Sequence, residues 1–274
     1  MDIQKLKETA NQMRADALTM IHDAGTGHTG GTMSAADIMT ALYCEIMRTD
    51  PQNPAWPGRD RFFLSKGHSC ETYYALLAEK GFFSKEELKT FSLPGSRILG
   101  HPNNMVPGVE MCTGALGHGL PVAVGSALGA KRTGQTYHVY VLMGDGEQAE
   151  GSVWEAAMAG ANYRLGNLWA IVDRNRLQIS GDTEDVMALD DLAQKWRAFG
   201  WDVAETDGND MAALVAYFRS DRPQDRPHCL IARTVKAKGL PFAENKAEWH
   251  HKVPNDEQLL EGYRALGVKG ASYQ

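Results

Sequence analysis

Cysteine is scarce. The four present, Cys44, Cys70, Cys112 and Cys229, are widely spaced over 274 residues and form no C-x-x-C pair. That argues against a zinc cage or a disulfide framework and fits a reducing cytoplasm. No apolar run approaches the roughly 18 residues that span a bilayer. The opening segment, MDIQKLKETANQMRADAL, lacks the apolar core of a signal peptide, so none is expected. Positive charge is also short: 28 Lys and Arg face 34 Asp and Glu, a net charge of −6 with no basic block. Nucleic acid and anionic membrane surfaces attract clustered Lys and Arg, so neither is an expected partner. Internal repeats and low-complexity segments are missing too. What remains is an ordinary composition, 43% hydrophobic and 23% charged, with length for one large domain or two small ones.

The stretch GTGHTGG, 25–31, contains a literal G-x-G-x-x-G at Gly25, Gly27 and Gly30. That spacing belongs to dinucleotide-binding turns, which follow a strand and open a helix. Here Ile3, Leu6, Ala10, Met13, Ala17 and Ile21 recur at three- and four-residue steps, which predicts a helix running to about Ala24. The glycines therefore follow a helix, where a C-cap and turn account for them. A second helix is expected to start near Ser34, placed as its cap. A nicotinamide-dependent dehydrogenase is disfavoured accordingly.

Downstream, strands and helices alternate. RFFLS (61–65), HVYVLMGDG (138–146), LWAIVDRN (168–175), WDVAET (201–206) and HCLIAR (228–233) read as strands. Helices are expected near 70–80, 84–91, 120–132 and 151–164, and before each of the last two strands. Continuous apolar strands in this alternation predict an α/β fold, a parallel sheet with helices on both faces. A long Gly/Pro-rich connection, 93–119, interrupts the pattern, and such loops are uncommon unless they serve a function. The segment 236–258 reads as flexible, ahead of a final helix.

One unit carries chemistry. Gly144-Asp145-Gly146 follows a buried strand ending at Met143, and Asn175 lies just after the next strand. Right-handed crossovers make consecutive parallel strands neighbours, so Asp145 and Asn175 should meet at one sheet edge, where ligands bind. A carboxylate, an amide oxygen and a nearby backbone carbonyl are hard oxygen donors suited to Mg2+ or Ca2+, with diphosphate oxygens and water completing the shell. The flanking glycines let backbone approach phosphate, and the helix at 151–165 can aim its amino end there. Alone, Gly-Asp-Gly is equally a tight turn; the strand–GDG–helix–strand–Asn arrangement is far more specific.

With these residues the sequence resembles the thiamine diphosphate enzymes, specifically the amino-terminal half of transketolase. GDGEQAEGSVWEA and DRNRLQISG are similar to that family's cofactor motif. GTGHTGGTMSAADIM, DRFFLSKGH, ILGHPN, TGALGHGLPVAVG and EWHHKVPND each resemble a transketolase segment, in the family's order. The resemblance covers 1–274 as a single diphosphate-binding domain and implies the thiamin diphosphate-binding fold. It implies thiamine diphosphate and Mg2+, with Ca2+ or Mn2+ as substitutes. Asp145 and Asn175 would ligate the metal through side chains and Leu177 through its carbonyl. Gly144, Gly146 and Glu147 would lie in the cofactor site, with Gly114 and Leu116 as backbone contacts and Ile179 beside the thiazolium ring. His68 and His250 resemble diphosphate-side histidines; His28 and His101 resemble those that bind donor hydroxyls and move protons. Glu150 and Glu155 resemble acidic residues of the subunit interface, one of them a proton relay. His118 stands where many relatives have Gln and split relatives often have His, a contact to cofactor or substrate. The family usually has His-Gly where this chain has His250-His251; His250 is taken as the family's histidine because it follows Trp249. GHSCETYYA departs from the small apolar pattern, so Glu71 and Tyr73 either alter substrate preference or repack a helix. His22, His138 and His228 receive no catalytic role.

A full transketolase is more than twice this length, and its middle domain supplies the glutamate that activates the cofactor. No segment after position 250 resembles that domain. The resemblance thus implies the amino-terminal subunit of a split transketolase. With a separate carboxyl-terminal, pyrimidine-binding subunit it would move a two-carbon ketol unit from a ketose, phosphorylated by preference, to an aldose. Alone it would be inactive, and the working unit would be an α2β2 heterotetramer. Competing readings are a 1-deoxyxylulose-phosphate synthase-like or dihydroxyacetone synthase-like subunit and a non-catalytic, partner-binding subunit. GHTGG, SKGH and WHHKVPND favour transketolase, and the intact Asp145, Asn175, Glu150 and histidines argue against a decayed site. The sugar itself is not identified by the sequence.

Overall fold

The structure, a computed structural model, describes residues 2–274. Five parallel strands form the central sheet: β1 (Arg61–Leu64), β2 (Val139–Gly144), β3 (Leu168–Arg174), β6 (Asp202–Asp207) and β7 (His228–Arg233), in the order β1-β2-β3-β7-β6. A small hairpin, β4 (Leu177–Gln178) with β5 (Gly181–Asp182), follows β3. Ten α-helices surround these: α1 (Ile3–Ala24), α2 (Thr29–Ser34), α3 (Ala36–Ala41), α4 (Cys70–Glu79), α5 (Gly119–Thr133), α6 (Gly151–Asn162), α7 (Thr183–Val186), α8 (Leu192–Ala198), α9 (Met211–Arg219) and α10 (Asp256–Leu266).

Successive side chains of a strand point to opposite faces, and here both faces are covered. Phe62, Leu64, Tyr140, Leu142, Ile171 and Leu230 join one core with residues of α1, α3, α4 and α9. Phe63, Val139, Val141, Met143, Val172 and Ile231 join a second core with α5, α6 and α8. This is why the strands read as unbroken apolar runs rather than alternating ones. β2 and β3 are direct neighbours, with Gly144 opposite Asp173. Asp145 and Asn175 therefore both lie just beyond the last rung, at the carboxyl edge.

Three local expectations are corrected. The second helix begins at Thr29, so Ser34 does not cap it; its hydroxyl donates to Gly31 O (3.1 Å) and Asp173 Oδ2 (2.6 Å). The turn at 84–91 is a 3-10 helix, Lys85–Thr90, rather than an α-helix. The segment 236–258 is folded: Ala237, Leu240, Ala243 and Trp249 are buried with Leu18, Tyr263 and Leu266 in a third core between α1 and α10. Apolar burial of this kind outweighs a local composition rich in Gly, Pro and charge. Gly25 does terminate α1, in the left-handed conformation at φ 65°, its N–H donating to His22 O at 3.2 Å.

Candidate active site

The loop after α1 follows a helix rather than a strand, unlike a dinucleotide-binding turn. A Cβ on Gly30 would lie 2.8 Å from both Lys236 Cε and the Trp249 carbonyl oxygen, so this glycine lets the 236–250 segment close over α2. That closure seats a cavity of about 310 Å³ at the carboxyl ends of β2 and β3. His28, His68, His101, Gly114, Leu116, Gly144, Asp145, Gly146, Glu147, Asn175, Leu177, Ile179 and His250 line it. So do four residues that the sequence reading did not single out, Gly31, Lys66, Gln178 and Lys236.

Asp145 is buried at the edge of this cavity. Its Oδ1 accepts the Gly146 N–H (2.8 Å); its Oδ2 accepts the Arg176 N–H (2.6 Å) and a bond from Arg174 Nη1 (3.2 Å). Burial, with Asp173 nearby, nevertheless holds its carboxyl above the usual range. A carboxylate so destabilised gains strongly from a cation. Beside it, Asn175 Oδ1 accepts the Leu177 N–H at 3.0 Å, and the Leu177 carbonyl accepts from Lys236 Nζ at 2.8 Å. Glu147 also lines the cavity, but the chain uses both of its oxygens. They accept from the Ser65 hydroxyl, Gly117 N–H (2.8 Å) and Gly144 N–H (2.9 Å), which ties the cavity floor together.

Two buried lysines supply positive charge. Lys66 donates to Asp173 and to Gly31 O (3.2 Å), and Asp173 also accepts from Ser34 and Thr234. Such a buried pair stands because its remaining lone pairs are satisfied. Lys236 Nζ contacts His250 Nδ1 at 3.0 Å. Burial first, then the charge of Lys66, lowers its ammonium to about 8. Ammonium donors, ring N–H groups and a carboxylate lining one cavity suit an anion carrying a divalent metal.

The imidazoles form a packed group. The ring centroid of His28 lies 5.6 Å from those of His68 and His101 and 5.8 Å from that of His250, and the His68 and His250 centroids are 5.0 Å apart. Burial depresses all four: His28 to about 4, His250 to about 3, His68 well below the usual value, and His101 below it. At neutral pH each ring is uncharged, with one N–H donor and one acceptor nitrogen, as proton transfer requires. His28 Nδ1 is buried without a hydrogen-bond partner among the described residues, which marks it as a position for a ligand atom. His251, the alternative to His250, is exposed and sets its ring edge-on to His28 at 4.6 Å without lining the cavity.

His118, Glu150 and Glu155 lie outside the cavity, exposed. His118 precedes α5, Glu150 caps α6, and Glu155 shares the outer side of α6 with Met158, 55% exposed. A larger groove of about 900 Å³ borders the same strand ends, lined by Arg174, Arg176, Asp190, Asp191, Glu205 and Arg233 among others. It contains no imidazole, so the chemistry belongs to the smaller cavity. Among the described residues, no three His, Cys, Asp or Glu side chains cluster as a self-sufficient metal cage.

The chain is 49% identical over 270 residues to an apulose-4-phosphate transketolase subunit of Phocaeicola vulgatus, across 98% of this chain and 96% of that one. To the 6-deoxy-6-sulfo-D-fructose transketolase subunit SqwG of a Clostridium species it is 40% identical, across 97% and 98%. Its fold superposes on the crystal structure of transketolase from Campylobacter jejuni with a TM-score of 0.92 at 31% identity, covering 98% of this chain and 43% of that one. Residues 5–273 match the family described as transketolase, thiamine diphosphate binding domain, and the chain belongs to that family.

Proposed function

We propose that this chain, working as one diphosphate-binding domain over 1–274, is the thiamine diphosphate-binding subunit of a two-subunit transketolase. It moves a two-carbon ketol unit from a ketose to an aldose. The observation that carries the reading is the meeting of Asp145, Asn175 and the Leu177 carbonyl with a group of neutral histidines in one cavity. Thiamine diphosphate, when bound, supplies the electron sink that lets a carbon–carbon bond beside a carbonyl break.

The chain's own residues do the rest. Asp145 and Asn175 side chains and the Leu177 carbonyl hold Mg2+, with Ca2+ or Mn2+ accepted by the same donors. Lys236, His68 and His250 donate toward the diphosphate, and Gly144, Gly146, Gly114 and Leu116 bring backbone close to it. Ile179, 68% exposed at the cavity rim, offers an apolar wall. His28 and His101 bind donor hydroxyls and carry protons, which neutral imidazoles do near pH 7. Glu147 braces the floor rather than reaching outward. His118, exposed just ahead of α5, is the contact proposed to cofactor or substrate.

The two apulose-4-phosphate relatives are matched over most of their own length, and each is named as one subunit of its transketolase, which supports a separate carboxyl-terminal partner here. An α2β2 assembly with twofold symmetry accommodates that partner. The exposed face of Glu150, Glu155 and Met158 is the surface proposed for it. The named substrates of the relatives are anionic sugars, and the longer match, at 49% identity, favours a phosphorylated ketose donor. No described helix is long and apolar enough to cross a membrane, and all four cysteines are unpaired; a cytoplasmic setting agrees with both.

The test is to co-purify the chain with the product of the adjacent gene, add thiamine diphosphate and Mg2+, and screen phosphorylated, sulfonated and neutral ketoses against aldehydes. Ketol transfer by the complex, and none by either chain alone, is expected. Full transfer by this chain alone contradicts the two-subunit reading; no transfer from any donor contradicts the reaction assigned.

A further inference from the structure

Among the described residues no hydrogen bond holds His28 Nδ1, and edge contacts with neighbouring rings are loose constraints on an imidazole. The place of the ring therefore depends on the backbone that carries it. That backbone is anchored from behind. Glu71, in α4, is fully buried at 0% exposure and does not line the cavity. Its Oε1 accepts the His28 N–H at 2.9 Å, and its Oε2 accepts the Thr32 hydroxyl at 3.0 Å. Neither bond comes from a Lys, Arg or His side chain. A buried carboxylate is expensive, and packing alone is served as well by an apolar side chain.

Two further features are built around the same carboxylate. Gly27 stands at φ 151°, and a Cβ there would lie 2.5 Å from Ile21 Cγ1 and 2.8 Å from Glu71 Oε1. The second glycine of the GTGHTGG stretch thus leaves room for both Ile21 and the carboxylate that holds His28. Thr32 Oγ1 also accepts the Thr72 N–H (3.2 Å), and the Thr72 hydroxyl donates to Thr32 O (3.0 Å). These bonds stitch α2 to α4 and fix the carboxylate itself.

We infer that Glu71 is a positioning residue for His28: by holding the His28 N–H it sets where the imidazole stands in the cavity. The inference rests on reading His28 as a proton-carrying residue. Glu71 touches no reacting atom; it acts through His28 alone.

The experiment uses the co-purified two-subunit enzyme. Glu71→Leu removes both acceptors, and Glu71→Asn, shorter by one methylene, breaks the same bond where leucine impairs folding. Glu71→Gln keeps an acceptor for the His28 N–H and can donate to Thr32 Oγ1. Misplacing a catalytic group by about 1 Å costs on the order of 100-fold, so kcat should fall about 30- to 100-fold in Glu71→Leu or Glu71→Asn and return to within about threefold in Glu71→Gln. Thiamine diphosphate affinity should hold within about twofold, because the anchor lies behind the substrate-facing histidine and away from Asp145. Combined with His28→Ala, the Glu71 change should slow the enzyme no further. In the chain alone, the His28 ring resonances should move in Glu71→Leu and return in Glu71→Gln, while those of remote His228 stay. An equal loss from the Glu71 change with and without His28, or full kcat in Glu71→Leu or Glu71→Asn, overturns the inference. Wild-type kcat in His28→Ala overturns instead the reading of His28 on which it rests.

Discussion

At the scale of the residue, environment decides what each titratable group does. His28 and His22 make the contrast. Burial first, then the charges of His251, His101 and Lys236, pushes His28 down to about 4, whereas hydrogen bonds to Asp23 and Asp256 raise His22. A pH titration of the histidine side chains by NMR should therefore show His22 changing above 6.5 and His28 staying neutral until about 4. Coincident midpoints would deny His28 a depressed basicity. Lys236 yields a second expectation. Its ammonium, lowered to about 8, must be charged to attract a diphosphate. Binding raises that value again, so thiamine diphosphate binding at pH 8 should take up a fraction of a proton, and affinity should weaken as pH rises past this point. Calorimetry in buffers of different ionisation heat reads the uptake, and Lys236→Met should abolish it. Uptake unchanged in that variant would remove Lys236 from the diphosphate wall. Asp145 and Asn175 were legible in the sequence because strand ends announce themselves. Lys66 and Lys236 were not: nothing local distinguishes a lysine paired with Asp173, or packed on Gly30, from one in water.

Elements show where local pattern suffices and where it does not. The strands of the main sheet fall close to the segments read for them; burial on both faces gives β2, β3 and β7 a strong signal, whereas β6, at the sheet edge, is only partly buried. The 236–258 segment carries no such signal: Ala237, Leu240 and Ala243 recur at three-residue steps, but Gly239 and Pro241 interrupt them and Trp249 stands apart. Only contact with α1 and α10 makes it a core. Trp249, 2% exposed, is its centre, and Trp249→Ala should lower unfolding stability by about 3–5 kcal/mol. Little or no change would mean that the segment is loosely held after all. His22 bridges the same two helices, from the last turn of α1 to Asp256 in the first turn of α10. Its folded pKa is raised, so its stabilisation is present below about 6.5 and lost as pH rises through the folded value. His22→Ala should thus lower Tm at pH 6 and leave it nearly unchanged at pH 9; the reverse order would contradict the assigned contacts.

For the whole molecule, the family likeness spans nearly the full chain but 43% of a one-chain transketolase. An exposed apolar pair is the place proposed for the assembly that completes it. Met158 at 55% and Val122 at 42% exposure lie on α6 and α5, beside Glu155. Met158→Asp should reduce the mass of the assembled complex in light scattering while the melting of the separate chain stays unchanged. An unaltered complex would place the contact elsewhere. The parallel fold and its carboxyl-edge site could be read from the sequence because strand order follows chain order through β3. The identity of the sugar could not.

The central claim is that the tips of β2 and β3 hold a divalent ion that anchors the diphosphate. Its most direct test is an equilibrium titration of thiamine diphosphate, with Mg2+, into the two-subunit complex carrying either the natural chain or Asp145→Ala. Saturable binding is expected for the natural complex. The variant should bind at least about 100-fold more weakly, beyond the loss typical of changing a mere outer-shell partner. Equal affinity in the two would contradict the account.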